Sequence, residues 1–393
     1  ASTLTYKSGD HWGPITQHSI ILMVGAVVVV FMHNIPYKWF QVFPVFLLPL
    51  SVVLLALVMM MERINGAARW MTFMGVQFQP SEVAKMAVII VTAFILSKGQ
   101  DEDGASPKAF KRIMIITGVI CLLIAPENLS TAALLFGVVY LMMFIGRVAM
   151  KKLLILAGGL AGVAIIGVTF LVLTKNSDLP FLHRFDTWRA RIEKFTNDNE
   201  VPAAKFDIDK DAQIAHARIA VATSHVVGKG PGNSVQRDFL SQAFSDFIFA
   251  IIIEELGLIG GAFVVFLYVC LLIRVGRIAK KCERTFPAFL IIGIALLLVS
   301  QAIFNMMVAV GLAPVTGQPL PLISKGGTST LINCAYIGMI LSVSRYTARL
   351  EEQKEHDALI PMQVEVPAEE TNSDAQTAAE PTAKVLNSDA EFE

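Results

Sequence analysis

The sequence predicts an all-α fold, a polytopic membrane helix bundle. Of its 393 residues, 54% are hydrophobic and only 16% are charged. A soluble chain carries about a quarter charged residues, so the charged fraction is low. The charged residues are missing from long apolar runs, most of them close to the ~20 residues that a helix needs to cross a bilayer. The net charge of zero gives no indication of nucleic-acid binding.

Nine apolar segments predict nine membrane-spanning helices. The segment 113–125 is short and is followed by Pro126, so the sequence predicts a broken or tilted element there. Residues 212–224 predict a helix of small residues within a long loop, and residues 350–393 lack periodicity and predict a disordered tail. The nine segments are approximately 17–33, 41–61, 81–97, 113–125, 131–146, 153–173, 246–273, 287–310 and 328–344.

The positions of the cysteines indicate neither a disulfide framework nor a structural zinc site. The four cysteines are scattered, mostly within apolar runs, and the sequence has no CxxC or His/Cys ligand spacing. Neither a disulfide framework nor a structural zinc site is predicted. The cysteines are Cys121, Cys270, Cys282 and Cys334.

Basic residues in the short loops predict the orientation. Lysines and arginines are concentrated in residues 98–112, 147–152 and 274–284, three loops whose positions in the chain place them on one side of the membrane. By the positive-inside rule this side is the cytoplasm, together with the tail from Arg345. Counting back places Ala1 outside. We therefore expect an upstream first span, with the initiator Met, to precede residue 1; the alternative is a natively external N-terminus.

The outward face then holds the unusual sequence features. These are residues 62–80, 126–130, 174–245 and 311–327, the last rich in Gly and Pro. The inward face has short basic loops and the tail. We therefore expect the chemistry of this protein to face outward.

The first external feature begins with Arg69 and Trp70 and continues with Glu82 and Lys85. Pro80 suits the first turn of a helix, where no N–H is needed. Glu82 and Lys85 are three residues apart, so they share a helix face. The alternatives are an acidic first turn with a snorkelling lysine, and simple interfacial anchoring by Arg69 and Trp70.

Two further features are loops. Residues 126–131 fit a turn and an N-cap before the next span as well as a binding site. Residues 228–237 are rich in glycine and include Lys229, so exposed N–H groups and a cation could surround phosphate oxygens. This loop lacks the GK[ST] ending of a nucleotide-binding P-loop, which excludes that site. A flexible loop is the alternative.

The last features are the loop 311–327 and three acidic residues, Asp246, Glu254 and Glu255. Prolines stiffen 311–327, which fits either a cavity wall or a purely structural role. Asp246 begins an apolar run, and Glu254 and Glu255 lie about two turns further along it. Helix capping could explain Asp246 alone, but charges at membrane depth are costly and indicate function.

Together these motifs resemble the SEDS family (shape, elongation, division and sporulation proteins), in order from residue 2 to 349. The resemblance implies a ten-span fold, so nine spans agree with a missing first helix. It also implies a peptidoglycan glycosyltransferase that polymerises lipid II beside a class B penicillin-binding protein, and the chain is more similar to the division branch than to the elongation branch. The motifs are NGAARW (65–70), QPSE with Lys85 (79–85), GKG (228–230), DFIFA (246–250), EELG (254–257), PVTG (314–317) and LPLIS (320–324).

The resemblance also implies roles for single residues. Asp246 matches the essential aspartate of the family. The residues that match cavity-lining positions are Arg69, Trp70, Glu82, Lys85, Lys229 and Ser324. The chain departs from the family at three places, and this weakens any role for the altered positions: LSQAFS (240–245) replaces LPEAHT, PENLST (126–131) replaces PDLGT, and Lys325 replaces a common Tyr.

The resemblance implies an inverting glycosyl transfer at the outer leaflet of the bacterial cytoplasmic (inner) membrane. Asp246 would act as general base, and cations or a divalent metal, Mg²⁺ or Mn²⁺, would stabilise the leaving pyrophosphate. A metal held by Asp246 would make that residue a ligand instead. The alternatives are an elongation polymerase, a lipid II flippase, and a scaffold that activates a synthase.

Overall fold

The computed structural model describes residues 13–60, 71–73, 76–101, 104–173, 208–240 and 243–364. The described residues up to 348 belong to one compact unit, and residues 349–364 belong to a second. The helices are α1 (Gly13–Asn34), α2 (Phe43–Met59), α3 (Pro80–Lys98), α4 (Pro107–Ile124), α5 (Leu129–Ile145), α6 (Met150–Leu173), α7 (Ile208–Ala222), α8 (Ile248–Lys281), α9 (Thr285–Ala309) and α10 (Gly327–Val364). Short 3-10 helices are Tyr37–Gln41 and Gln236–Asp238, and the strand pairs are β1 (Met71–Phe73) with β2 (Val76–Phe78) and β3 (Gln100–Asp101) with β4 (Gly104–Ala105), both antiparallel.

The prediction of an all-α polytopic membrane protein is confirmed. Each of the nine apolar segments overlaps a helix, and the predicted small-residue helix at 212–224 is α7. Within the described ranges, five helices are long and apolar enough to cross a membrane, and three shorter helices are apolar. The five are Pro80–Lys98, Met150–Gly167, Ile248–Lys281, Thr285–Ala309 and Gly327–Asp357; the three are His18–Asn34, Phe43–Met59 and Leu129–Ile145.

The segment 113–125 is not broken, because α4 is one continuous helix from Pro107 to Ile124; the tilted alternative stays a prediction. Ser106 caps it by accepting a hydrogen bond from Ala109 N at 3.3 Å, and proline at the first helical position fits the helix without losing a bond. Lys108 and Lys111 lie in the first turns. The apolar segment therefore begins later than the helix does.

The last helix extends beyond the boundary expected at residue 350. α10 continues to Val364, through a run rich in Glu, Gln and Lys. These residues have good helix propensity, and charges of opposite sign three residues apart support a helix. Residues 365–393, the rest of the predicted disordered tail, lie outside the described residues.

Helix α9 forms the centre of the bundle. Its inner side chains, such as Leu290, Ile294 and Leu298, have no exposed surface. Gly293 allows close packing, since a Cβ there would lie 2.9 Å from Ile89 of α3 and 2.6 Å from Met142 of α5. Because lipid is as apolar as these side chains, such close contacts hold membrane helices together.

The basic loops meet at one end of the bundle, which we call the basic end. Ala105 N donates to Arg147 O at 3.1 Å, and Thr285 Oγ1 donates to Ser97 O at 3.4 Å. The C-terminus of α1 and the middle of α10 meet at this end as well, where Arg345 donates two bonds to Asn34. The contacts agree with the prediction that these loops share one side.

At the opposite end, α8 is broken at Gly257, whose φ of 72° lies in the left-handed region. The break leaves the carbonyls of 254–255 and the amides of 258–259 without the helical partners that they would otherwise give each other. The glycine loop, which we define as residues 225–237, supplies a partner for all four groups. The bonds are Lys229 N to Glu254 O (3.0 Å), Gly230 N to Glu255 O (2.9 Å), Leu258 N to His225 O (3.3 Å) and Ile259 N to Val226 O (3.4 Å).

The close contact between the glycine loop and the broken helix α8 requires a glycine in each of them. A Cβ on Gly228 would lie 2.3 Å from Gly257 N, and a Cβ on Gly257 would lie 2.1 Å from Val226 O. Within a bilayer each unpaired backbone group costs several kcal/mol, so a helix can break there only where protein satisfies the freed groups. The glycine loop is therefore part of the helix structure, and the flexible-loop alternative is wrong for these residues.

Replacing Gly257 by Ala is expected to expel the glycine loop and to lower the thermal unfolding temperature. The left-handed backbone alone costs about 1–2 kcal/mol for a non-glycine residue, and the clash with Val226 O adds to it. The control is Gly276→Ala in the same helix, where no described atom lies within 4 Å of an added Cβ. Equal unfolding temperatures for the two purified variants would contradict the proposed insertion.

Candidate functional site

Asp246 lies just before α8 and is partly buried. The N-cap of α8 is Phe247, so Asp246 lies one residue before the capping position. The Asp246 Oδ1 atom accepts a hydrogen bond from Ser245 Oγ at 2.8 Å.

The carbonyl oxygens of residues 244, 245 and 246 each accept a hydrogen bond from a residue elsewhere in the chain. Lys325 N donates to Phe244 O at 2.8 Å. Ser324 Oγ donates to Ser245 O at 2.6 Å, and Asn305 Nδ2 donates to Asp246 O at 2.8 Å. We call these three bonds the backbone clamp. They fix the main chain at Asp246 against α9 and the loop 311–326.

Ser324, which the resemblance places in the substrate cavity, lies within this clamp. Its hydroxyl donates to Ser245 O and also accepts a bond from Leu320 N at 2.7 Å. The residue is 8% exposed. The structure thus brings Ser324 next to the Asp246 segment, and the bonds of its hydroxyl run to main chain.

The proline-rich loop, residues 311–326, is itself held by side chains of α8 and α9. Asn305 Nδ2 donates to Gln318 O at 2.7 Å, Gln301 Nε2 donates to Pro319 O at 3.2 Å, and Tyr268 OH donates to Pro321 O. Proline and these bonds together restrict the loop. The loop therefore forms a stiff support for the clamp, as its structural interpretation predicts.

Residues 126–131 form the turn and the helix N-cap that the sequence gives as one alternative. Asn128 is the N-cap of α5, and its Oδ1 accepts bonds from Thr131 N at 3.2 Å and Ser130 Oγ at 2.8 Å. Ser130 Oγ also lies 3.3 Å from Thr316 O, and the Gln318 side chain donates to Thr131 Oγ1. This turn is thereby joined to the proline-rich loop.

Glu82 and Lys85 form a buried ion pair. Lys85 Nζ lies 2.7 Å from Glu82 Oε1, on the first turns of α3, which begins at Pro80 as predicted. The same ammonium donates to Gln301 Oε1 of α9 at 3.1 Å, and the Lys85 side chain has no exposed surface. The snorkelling alternative is therefore wrong, because the lysine points into the bundle.

The glycine loop surrounds an anion, and that anion belongs to the chain itself. Glu254 is fully buried, and its carboxylate lies 2.7 Å from Lys229 Nζ. The carboxylate also accepts bonds from Ser234 Oγ, from Val235 N at 3.2 Å and from Gln236 N at 3.3 Å. The donors that could have bound a phosphate in this loop are thus occupied by Glu254. Lys229 retains 29% exposure of its side chain.

Glu255, the neighbour of Glu254, has a more peripheral partner. Its Oε1 atom lies 3.4 Å from Arg237 NH1, and the two side chains are 19% and 12% exposed. The sequence leaves the roles of both glutamates unresolved. The structure separates them into a buried anchor of the glycine loop and a weaker, partly exposed ion pair.

Two of the predicted site residues, Arg69 and Trp70, lie outside the described residues. A small open cleft lies near the start of α3. Its apolar walls come from α2 and α4, and its polar groups come from the start of α3 and the turn before α5. The lining residues are Leu55, Val58, Gln79, Pro80, Ser81, Leu123, Ile124, Glu127 and Asn128.

Sequence reasoning missed Gln301 and Asn305. Both lie in the uncharged segment 287–310, four residues apart, and therefore on one face of α9. Both are almost fully buried, at 3% and 1% exposure. Polar side chains are costly in a membrane helix unless they have partners, so this pair in an apolar run could have indicated the site.

Comparison with known proteins identifies the family. The model of the FtsW/RodA/SpoVE family, described as cell cycle proteins, matches residues 1–349. The chain belongs to this family. The SEDS resemblance is thereby confirmed over the range that the motifs indicate.

Curated relatives within the FtsW/RodA/SpoVE family carry one name. The probable peptidoglycan glycosyltransferase FtsW of Halomonas elongata is 32% identical over 359 residues, which cover 89% of this chain and 86% of that protein. The protein of the same name from Geobacter sp. strain M18 is 34% identical over 282 residues, covering 71% and 72%.

Solved structures of the family have the same fold. A chain from a study of how a peptidoglycan synthase complex coordinates polymerization and crosslinking aligns with a TM-score of 0.66 and 25% identity, covering 84% of this chain and 88% of that one. The crystal structure of the rod shape determining protein RodA of Thermus thermophilus aligns with a TM-score of 0.58 and 23% identity, covering 83% and 86%.

Replacing Glu254 by Gln is expected to destabilise the protein far more than the same change at Glu255. The buried Glu254 carboxylate accepts four hydrogen bonds, and glutamine would turn its NH₂ group toward some of these donors; each buried polar group left unpaired costs about 1–3 kcal/mol. The Glu255–Arg237 pair is partly exposed, and such pairs contribute about 1 kcal/mol or less. Thermal unfolding of the two purified variants measures the difference. Equal destabilisation would show that Glu254 does not anchor the loop.

Proposed function

We propose that the chain is a peptidoglycan glycosyltransferase that polymerises lipid II into glycan strands for septal wall synthesis in cell division. The observation that carries the proposal is the fixed position of Asp246, held by the backbone clamp at the end of the bundle opposite the basic loops. The names of the FtsW relatives support the same activity and the division role.

The proposed orientation follows from the distribution of charge. Positively charged loops remain on the cytoplasmic side of a membrane, so the basic end and the C-terminus would be cytoplasmic. Asp246 would then lie at the outer leaflet of the cytoplasmic (inner) membrane. Lipid II carries its disaccharide on that side when the wall is assembled, and no nucleoside triphosphate is required because the lipid pyrophosphate is already activated.

In the proposed reaction, the 4-hydroxyl of GlcNAc in one lipid II attacks the anomeric carbon of the growing chain. The new glycosidic bond forms as the bond to undecaprenyl pyrophosphate breaks, with inversion at the anomeric carbon. Asp246 accepts the hydroxyl proton, and the pyrophosphate leaves with the bonding electron pair. General base catalysis of this kind contributes about 10²–10⁴-fold to the rate.

The remaining proposed site residues would bind the substrate and stabilise its leaving pyrophosphate. Among the described cations of this set, Lys229 has a partly exposed side chain that could contact a phosphate without rearrangement, and it would then share its charge with Glu254. Lys85 is fully buried against Glu82, so its contribution requires the bundle to open at α3. The others are Arg69, Trp70 and Ser324.

A divalent cation fits this site only in company with the substrate. The described residues contain no group of three or more His, Cys, Asp or Glu side chains that could hold a metal. Mg²⁺ is commonly bound by one or two carboxylates together with substrate phosphates. In this variant of the proposal Asp246 would be a ligand of the ion instead of the general base, and the ion would supply positive charge for the leaving pyrophosphate.

The proposed partners are a class B penicillin-binding protein, which would crosslink the new strands, and other division proteins. The similarity to a chain of a peptidoglycan synthase complex supports a synthase partner. The division role depends on the FtsW relatives, because the RodA structure is 23% identical and supports the fold alone.

Asp246→Asn is expected to abolish glycan polymer from purified lipid II while leaving the unfolding temperature unchanged. The amide keeps the shape of the side chain but cannot accept the proton at neutral pH. The control is Asp238→Asn, which changes a carboxylate that is 49% exposed in the same loop region. The assay is run with and without the transpeptidase partner and a chelator, and polymer is measured by electrophoresis.

Normal polymer from Asp246→Asn would contradict the proposed role of this residue. If wild-type protein flips lipid II in vesicles but makes no polymer under any condition, the chain is a transporter. If a partner makes the polymer equally well with either variant, the chain is a scaffold.

A further inference from the structure

Asn305 is a buried side chain on α9 that the proposed mechanism leaves unused. Its Nδ2 atom donates to Asp246 O at 2.8 Å and to Gln318 O at 2.7 Å. Both neighbours are carbonyl oxygens, which can only accept, so the amide nitrogen must face them. The residue is 1% exposed, and its Oδ1 atom is buried with no hydrogen-bond partner among the described residues.

The bond from Asn305 is the clamp bond that ends on Asp246 itself. Ser324 holds the carbonyl of Ser245, and Lys325 holds that of Phe244. Asn305 also joins Asp246 to the proline-rich loop, since the same NH₂ group reaches Gln318 O. These bonds thereby fix the position of Asp246 relative to α9, whose inner face is buried, and relative to a stiff loop.

The helical segment that follows Asp246 cannot fix the position of the Asp246 carboxylate by itself. The first part of α8 runs from Ile248 to the break at Gly257, so its direction is not set by the long apolar part of the helix. The glycine loop holds this segment at its far end through Lys229 and Gly230. The clamp must hold its near end, where the carboxylate lies.

We propose that Asn305 is a positioning residue for the glycosyl transfer, acting by fixing the main chain at Asp246. The inference rests on the proposed function. Asn305 does not contact the reacting atoms; it sets where the Asp246 carboxylate meets the acceptor hydroxyl. A displacement of about 1 Å at a catalytic group can lower the rate about 100-fold, whereas substrate binding remains unchanged. The effect of Asn305 is therefore on kcat and not on KM.

The test compares Asn305→Leu with Ser342→Ala in the full-length protein, with lipid II as substrate. Leucine has a similar shape and removes both donors. Ser342 is a matched control, because its hydroxyl also donates from a helix to a main-chain carbonyl of another element, Ile35 O, but at the basic end. For Asn305→Leu we expect kcat to fall about 10- to 100-fold with KM within about twofold. Ser342→Ala is expected to keep the wild-type kcat.

The outcomes separate the inference from the proposed function. If wild-type protein makes no polymer, both are overturned. If wild-type protein polymerises lipid II and Asn305→Leu has the same kcat, only the role of Asn305 is overturned. A rise in KM as large as the fall in kcat would also overturn it, since that result indicates general distortion of the site.

A second variant covers the case in which Asn305→Leu does not fold. Asn305→Ser keeps one hydroxyl donor in less space, and we expect a smaller fall in kcat, still with KM within about twofold. Wild-type kcat for this variant would overturn the assignment.

Discussion

The pairing of backbone groups in a medium without water is the constraint on which the rest of this structure depends. An α-helix satisfies its own N–H and C=O groups, so any interruption at membrane depth must be repaired by other protein groups. Here two loops do so at one end of the bundle. The glycine loop pairs with the four groups freed at Gly257, and the clamp from α9 and the proline-rich loop pairs with the carbonyls at 244–246. Asp246 is one of the residues held by the clamp, and it precedes the break at Gly257 in the chain.

The same constraint explains where the charges of this apolar chain lie. Glu254 with Lys229, and Glu82 with Lys85, are ion pairs in which at least one member is fully buried, and polar donors occupy further positions around them. Buried pairs of this kind contribute little net stability, but losing one partner is costly, so they fix one arrangement of loops and helices. Asp246 remains partly exposed, as its proposed role as general base requires.

The sequence predicted the fold class and all nine apolar helices, because both depend on local composition. It misplaced the start of α4, where Lys108 and Lys111 concealed the first turns, and it could not identify the partner of Lys229. A glycine-rich loop with a cation indicates an anion, but only the fold shows that the anion is Glu254, twenty-five residues away. Asn305 was missed for a similar reason, because its partners Asp246 and Gln318 lie 59 and 13 residues away in the sequence.

Amide hydrogen exchange in the intact protein tests most directly whether the glycine loop is part of the broken helix. Amides that are paired in a cooperative structure exchange far more slowly than those of an open loop. The account predicts that the amides of Lys229, Gly230, Val235 and Gln236 are protected like those of α8, and that Glu254→Gln releases all four together. Exchange of these amides in the wild-type protein at the rate of an unstructured loop would contradict it.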